Sequence, residues 1–287
     1  MTRCAITALV VLLCSAAALA TPNLNQASGY VLVPDASIAP DGQWQYSLGY
    51  VVPRGKSELT KLTLSLPCDG TGFDLSALSG IGGRAEAGIG YHIVNKDAGD
   101  ANAFTLALKT RITDDPDGGI SAGFSFRSWK TDMKVDFDTV FGGSADLDLP
   151  NVTSLYVVMD RKWAVEGNAY TASFGLVYDS YSRTSQGING SPLVVPFGPV
   201  DAQGTISSKH FIRLFLGAGI TTGEWTFLAD YKPAEKSGGF KYQDTFWSVA
   251  ARRAVDETLT ATAGFTTFNV PYTKSDPGFF LNLSYTK

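Results

Sequence analysis

Apolar and polar residues alternate along most of this chain with a period of two. The stretch "NAFTLALKTRIT" puts Phe104, Leu106, Leu108 and Ile112 on one side of an extended chain and Thr105, Lys109 and Arg111 on the other. In "QWQYSLGYV", Trp44, Tyr46, Leu48 and Tyr50 oppose Gln43, Gln45, Ser47 and Gly49. "RAEAGIGYHIV", "ISAGFSFRS", "AYTASFGLVYDS", "EWTFLADYK", "TLTATAGFTTF" and "GFFLNLSYTK" repeat the pattern. Such alternation predicts β-strands whose two faces meet different environments. "KLTLSL" at 61–66 and "KVDFDTVF" at 134–141 read as further strands, and "GYVLV" at 29–33 as a short first one. "TSLYVVMD", "HFIRLFLGAGI" and "YQDTFWSVAARR" alternate less cleanly, with apolar residues on both faces.

The connections carry turn residues, as in "NKDAGDA", "DDPDGG", "TTGE" and "AVDE". Longer ones are expected at 67–82, 142–152 and 183–207, largely on alternate positions. Short turns at one end and long loops at the other characterise membrane barrels. The fold expected is therefore all-β, a closed antiparallel up-and-down transmembrane β-barrel of about 12–14 strands.

A soluble sheet protein would also alternate. Composition favours lipid. The polar face is rich in Gly, Ser, Thr and Gln, whereas a water-facing surface would carry more Lys and Glu. Charged residues make only 17% of the chain, which has 30 glycines and 12% aromatics. Tyr and Trp near strand ends, among them Trp44, Tyr178 and Trp225, suit interfacial girdles. No run after residue 20 is long and apolar enough for a transmembrane helix, so insertion would be by strands.

"MTRCAITALVVLLCSAAALATP" has a basic Arg3, an apolar run and a small-residue "ALA" at 18–20, the marks of a secretory signal peptide over 1–20. Residues 21–42 then form an N-terminal segment, a short strand or a plug, and 43–287 the barrel; the loop 183–207 is a second candidate plug. Cys4 and Cys14 leave with the signal, so Cys68 has no partner for an intramolecular disulfide. Removing Arg3 takes the net charge from −4 to −5, and no basic stripe marks a nucleic-acid site.

"ASGYVLVPDASIAPDGQWQYSLGY" resembles the opening of YjbH-type outer-membrane proteins, which are linked to exopolysaccharide production. The shared features fall at Gly29, Pro34, Ala36 and Gly42, within residues 28–50. The resemblance implies a bacterial outer membrane, its lipid and its barrel-assembly machinery as partners, and polysaccharide or a small polar solute as cargo.

Candidate chemistry is sparse. With His92 and His210 the only histidines, no metal or cofactor site is expected. No nucleophile, base and orienting group come together, so an enzyme is not expected. "DDPDGG" lacks the ligand register of a calcium loop and reads as a turn. The candidate lumen lining is charged: Lys61, Arg84, Glu86, Lys109, Arg111, Arg127, Asp179, Arg213, Asp230 and Lys232. The ordinary expectation is that these groups pair across the lumen. The functional one is a charged pore lining, and the excess of cations predicts a mild anion preference. The expected function is a pore or an export-associated barrel. The alternatives are a closed structural or surface-binding barrel, and a soluble secreted all-β binding protein.

Overall fold

The computed structural model describes residue 27 and residues 29–287, apart from positions 53, 59–64, 68–69, 97–98, 116, 133, 137–143, 147–148, 183, 186, 190–204, 207, 238–239 and 268–272. The signal-peptide reading, the three cysteines, Lys61 and most of 183–207 lie outside the described residues.

Twelve strands form a closed barrel. They are β1 (Trp44–Val51), β2 (Gly70–Ile81), β3 (Ala85–Lys96), β4 (Gly99–Asp115), β5 (Gly118–Thr131) and β6 (Val152–Val165). The other half comprises β7 (Asn168–Tyr181), β8 (Lys209–Thr222), β9 (Trp225–Lys232), β10 (Phe246–Ala254), β11 (Leu259–Thr266) and β12 (Gly278–Thr286). Each strand pairs antiparallel with its sequence neighbours, and β1 closes on β12 from Gln45↔Thr286 to Val51↔Phe280. Closure leaves no sheet edge with unpaired backbone groups, the condition for a sheet in hydrocarbon. In β4 an extra residue, Ile112, bulges between Arg111 and Thr113 where the register shifts.

The alternation has the sense that lipid requires. Leu48, Leu75, Ile89, Phe104, Leu108, Leu155, Met159, Phe174, Leu176, Leu216 and Phe227 face outward and are exposed. Gln45, Ser47, Asp74, Glu86, Thr105, Lys109, Ser173 and Asn282 point inward and are buried. A soluble barrel has the opposite arrangement, so the soluble alternative does not describe this molecule. Stacked Trp44–Tyr46 and Trp163–Tyr170 flank the barrel at its turn end, while Tyr50–Phe73 sits toward the loop end.

The tight turns lie at one end, among them 82–84, 166–167, 223–224 and 255–258. The two-residue loop Glu166–Gly167 has positive φ at both positions, the hairpin geometry that matches strand twist. At the other end are the long connections 52–69, 132–151, 182–208, 233–245 and 267–277, with the two-residue link at 97–98 as the short exception.

Several strand expectations need correction. The supposed long connection 67–82 contains β2. "GTGFDLSALSGI" alternates Phe73, Leu75, Ala77 and Ile81 outward with Gly72, Asp74, Ser76, Leu78 and Gly80 inward, but its glycines and serines mimic a loop. Conversely, Ser65–Pro67 and Lys134–Asp136 are not barrel strands. Ser65–Pro67 joins Arg54–Glu58 and Thr273–Asp276, and Lys134–Asp136 joins Ser144–Asp146 and Gly187–Asn189, in small sheets among the loops. With these reassigned, "DDPDGG" falls at the tight-turn end where a short link belongs. "GYVLV" forms no strand; it lies inside the barrel.

Candidate functional site

Eight strands just fill with side chains, and sixteen or more leave an aqueous channel. Twelve leave a bore that a single chain segment can occupy. Residues 29–41 do so. Gly29 and Pro34 bridge each other, and the Tyr30 N–H donates to the Val33 carbonyl at 3.1 Å, so 29–34 make a compact loop. Only glycine fits at 29, because a Cβ there would lie 2.4 Å from the Val33 oxygen. The loop turns three successive amides to one side. Val31, Leu32 and Val33 donate to Asp230 Oδ2 at 3.0, 2.7 and 3.3 Å. Successive amides converging in this way form a concave anion-binding nest.

Two more wall carboxylates hold the segment. Ala36 N–H donates to Asp160 Oδ2 at 2.9 Å, and Ala39 N–H to Glu86 Oε2 at 2.8 Å. Glu86, Asp160 and Asp230 come from β3, β6 and β9, so the segment is gripped from well-separated sides of the barrel. Its carbonyls are met as well. Ser121 Oγ donates to Ala36 at 2.8 Å, Lys109 Nζ to Asp35 at 3.2 Å, and Arg252 Nη2 to Gly29 and Tyr30 at 3.3 Å. Ser173 Oγ gives its proton to Asp160 Oδ1 at 2.6 Å, so the Tyr30 hydroxyl 2.7 Å away is the donor to Ser173. Tyr30 also needs Gly217, where a Cβ would lie 2.3 Å from its ring. Val31, Leu32 and Val33 pack in one apolar cluster with Tyr156, Val158, Val177, Phe215 and Leu228, apolar residues on the inward face.

A second closure lies nearer the loop end. The β9–β10 connection contains a small hairpin, Glu235–Ser237 with Phe240–Gln243. Its Tyr242 is fully buried against Tyr181 and Phe211, and Tyr181 Oη donates to Gln243 Oε1 at 2.9 Å. Glu235 contacts Arg213, and Arg213 and Lys232 each reach Asp179 Oδ2 at 2.7 Å. Burial, with the nearby Asp179 carboxylate adding to it, pushes Glu235 up to about 8 against the pull of Lys232 and Arg213.

The sequence-derived lining residues thus divide. Glu86, Lys109 and Asp230 hold the N-terminal segment. Lys109 also pairs with Glu86 at 3.0 Å. Asp179, Arg213 and Lys232 form the loop-end cluster. Arg127 donates to Thr105 Oγ1 at 3.0 Å and lies over the Trp129 ring. Arg111 is half-buried beside the β4 bulge. Arg84 is exposed in the 82–84 turn, off the lumen wall. Sequence reasoning passed over Asp160, Arg252, Tyr30, Asp35 and Glu235. It also passed over Asp74, which meets His92 Nδ1 at 2.5 Å. Once these acids are counted, the cation excess largely disappears, and with it the basis for a general anion preference.

Closed bore, apolar exterior, polar interior and one-ended long loops together define a transmembrane β-barrel whose lumen is occupied by its own N-terminal segment. Known structures share the architecture. The β-domain of the Bordetella autotransporter BrkA is similar at a TM-score of 0.54 and 10% identity, over 85% of this chain and 99% of that one. The translocator domain of the autotransporter NalP from Neisseria meningitidis gives 0.51 and 13%, over 85% and 88%. An outer membrane channel from Pseudomonas putida F1 gives 0.50 and 12%, over 88% and 97%. At these identities the likeness is one of fold. No protein-family model and no curated protein matches the sequence.

Proposed function

We propose that this protein is a bacterial outer-membrane barrel that passes a polar solute through a bore gated by residues 29–41. The observation that carries the reading is how the segment is held. Its backbone amides bind wall carboxylates that water can also solvate, so withdrawing it exposes those charged groups beside the apolar cluster of Tyr156, Val158 and Phe215. A segment fixed purely by apolar packing would leave a greasy bore instead. The outer-membrane location is supported by the outward apolar face and by the outer-membrane barrels that share the architecture. Delivery there fits a signal peptide at 1–20 followed by the barrel-assembly machinery. Polysaccharide is the first cargo to test, a choice resting on the resemblance of residues 28–50 to YjbH-type chains.

The second reading, a closed structural or surface-binding barrel, draws on the two levels of closure seen here. Planar-bilayer recordings separate them. The full chain is expected to show rare openings, and a variant lacking both residues 27–40 and the capping hairpin 235–243 a steady ohmic conductance. A deletion variant that folds and stays silent favours the closed barrel.

A further inference from the structure

On the outside of the barrel, one position breaks the apolar rule. Arg161 stands in β6 between Met159 and Trp163 on the outward side, and it is exposed. Its side chain makes no ion pair or hydrogen bond among the described residues. A cation on the lipid-facing side of a sheet is unfavourable unless a group of opposite charge meets it. The other outward arginine of β6–β12, Arg253, has its partner within the protein, Glu224 at 2.7 Å.

Arg161 also begins a row of directly paired outward residues: Arg161↔Ala172, Ala172↔Ala218 and Ala218↔Ala229. The rows on either side are bulky. Toward the loop end run Met159, Phe174, Leu216 and Tyr231, and toward the turn end Trp163, Tyr170, Ile220 and Phe227. The three alanines leave a groove of about 560 Å³ with Arg161 at one end. Its course is oblique. The same row starts at Asp115, the last residue of β4 at the turn end, and passes through Gly118 to Arg161. Beyond Ala229 it continues through Val249 and Phe265 to Phe279 at the loop end. The groove therefore climbs from the turn-end side of the wall toward the middle of the membrane.

We infer that this groove holds an acyl chain of an anionic phospholipid from the turn-end leaflet, with the lipid phosphate on Arg161. Trp163 and Tyr170, stacked 5.7 Å apart, set the level of the headgroup boundary on this side. Arg161 lies two strand residues deeper, about 7 Å, a gap that a long side chain bridges by snorkelling toward the phosphates. The planar guanidinium matches a phosphodiester, and the chain below it lies along the alanine floor. A second barrel offers no such match. No outward position of β6–β12 carries Asp or Glu, so a copy's wall drawn from these strands would leave Arg161 without a countercharge.

This site lies outside the bore and does not rest on the proposed passage of solutes. Native mass spectrometry of the full-length protein in detergent tests it, with phosphatidylglycerol and phosphatidylcholine of the same acyl chains added in turn. One phosphatidylglycerol should be retained at about tenfold lower concentration than phosphatidylcholine. Arg161→Gln should remove that preference. Ala218→Phe fills the floor with a side chain that a lipid-facing wall accepts, and should weaken retention of both lipids about tenfold. Each variant is first shown to keep the gel mobility of the folded barrel. Equal retention of the two lipids by the wild type, a preference that survives Arg161→Gln, or retention unaltered by Ala218→Phe would each overturn the assignment. So would a dimer that forms without added lipid and is lost in Ala218→Phe, which would give the groove to a second copy.

Discussion

A single oxygen, Asp230 Oδ2, accepts three consecutive amides of the segment that fills the bore. Bonds to a charged acceptor contribute about 1.5–3 kcal/mol each where both partners are sheltered from water. Asp230→Asn keeps the shape and removes the charge. It is expected to raise the open probability in single-channel recordings by about tenfold or more; an unchanged open probability would show that the segment is held elsewhere. Gly217→Ala should act in the same direction, since its methyl meets the Tyr30 ring. Some of this was legible beforehand. Glu86, Lys109 and Asp230 fall on the polar parity of clean strands. Asp160 sits in "TSLYVVMD", where Tyr156 and Val158 disturb the alternation, and those inward apolar residues are the ones that pack on Val31–Val33. Apolar residues on an otherwise wet face mark the level at which a barrel is filled. What the sequence lacked was any signal for a carboxylate bonding to backbone amides almost two hundred residues away, because amides are the same at every position.

At the level of elements, parity was the reliable guide and strand identity was not. β2 was hidden because Gly72, Ser76, Ser79 and Gly80 lower its hydrophobicity, although Phe73, Leu75 and Ile81 keep the period. The loop pieces Ser65–Pro67 and Lys134–Asp136 look like strands because they are extended, but they pair away from the barrel. Period two reports extension and two environments; it does not say which sheet a strand joins. The outward face makes its own prediction. Leu176, in mid-β7 and exposed to the outside, replaced by Arg should destabilise the barrel by about 2–4 kcal/mol in urea titrations from lipid vesicles. A cost near zero would mean that this face does not meet hydrocarbon. The inward hairpin makes another. Burial pushes Glu235 well above an ordinary glutamate, up to about 8, so its neutral form is the one the fold favours. Stability from this group is full below the unfolded value and drains away as pH rises toward 8. Glu235→Gln should therefore gain on wild type between pH 5 and 8, read as the temperature at which the folded gel mobility is lost. A gap that narrows with rising pH would contradict that sign.

For the whole molecule, the decisive features are closure and polarity. β1 meets β12 along a continuous ladder, apolar side chains cover the outside, and charged ones line an interior that residues 29–41 fill. Length and alternation were enough to anticipate a barrel near this size, and the N-terminal segment was one of two candidate plugs. That the bore is also capped by the 235–243 hairpin came only from the structure, since Tyr242 in sequence is one aromatic among twelve tyrosines. The account rests on lipid outside and a filled polar bore inside. Cell fractionation followed by electrophoresis of unboiled and boiled samples tests it most directly. The protein should sediment with the outer membrane, require detergent for release and change its gel mobility on boiling. Recovery as a freely soluble species without detergent, with one mobility before and after boiling, would contradict it.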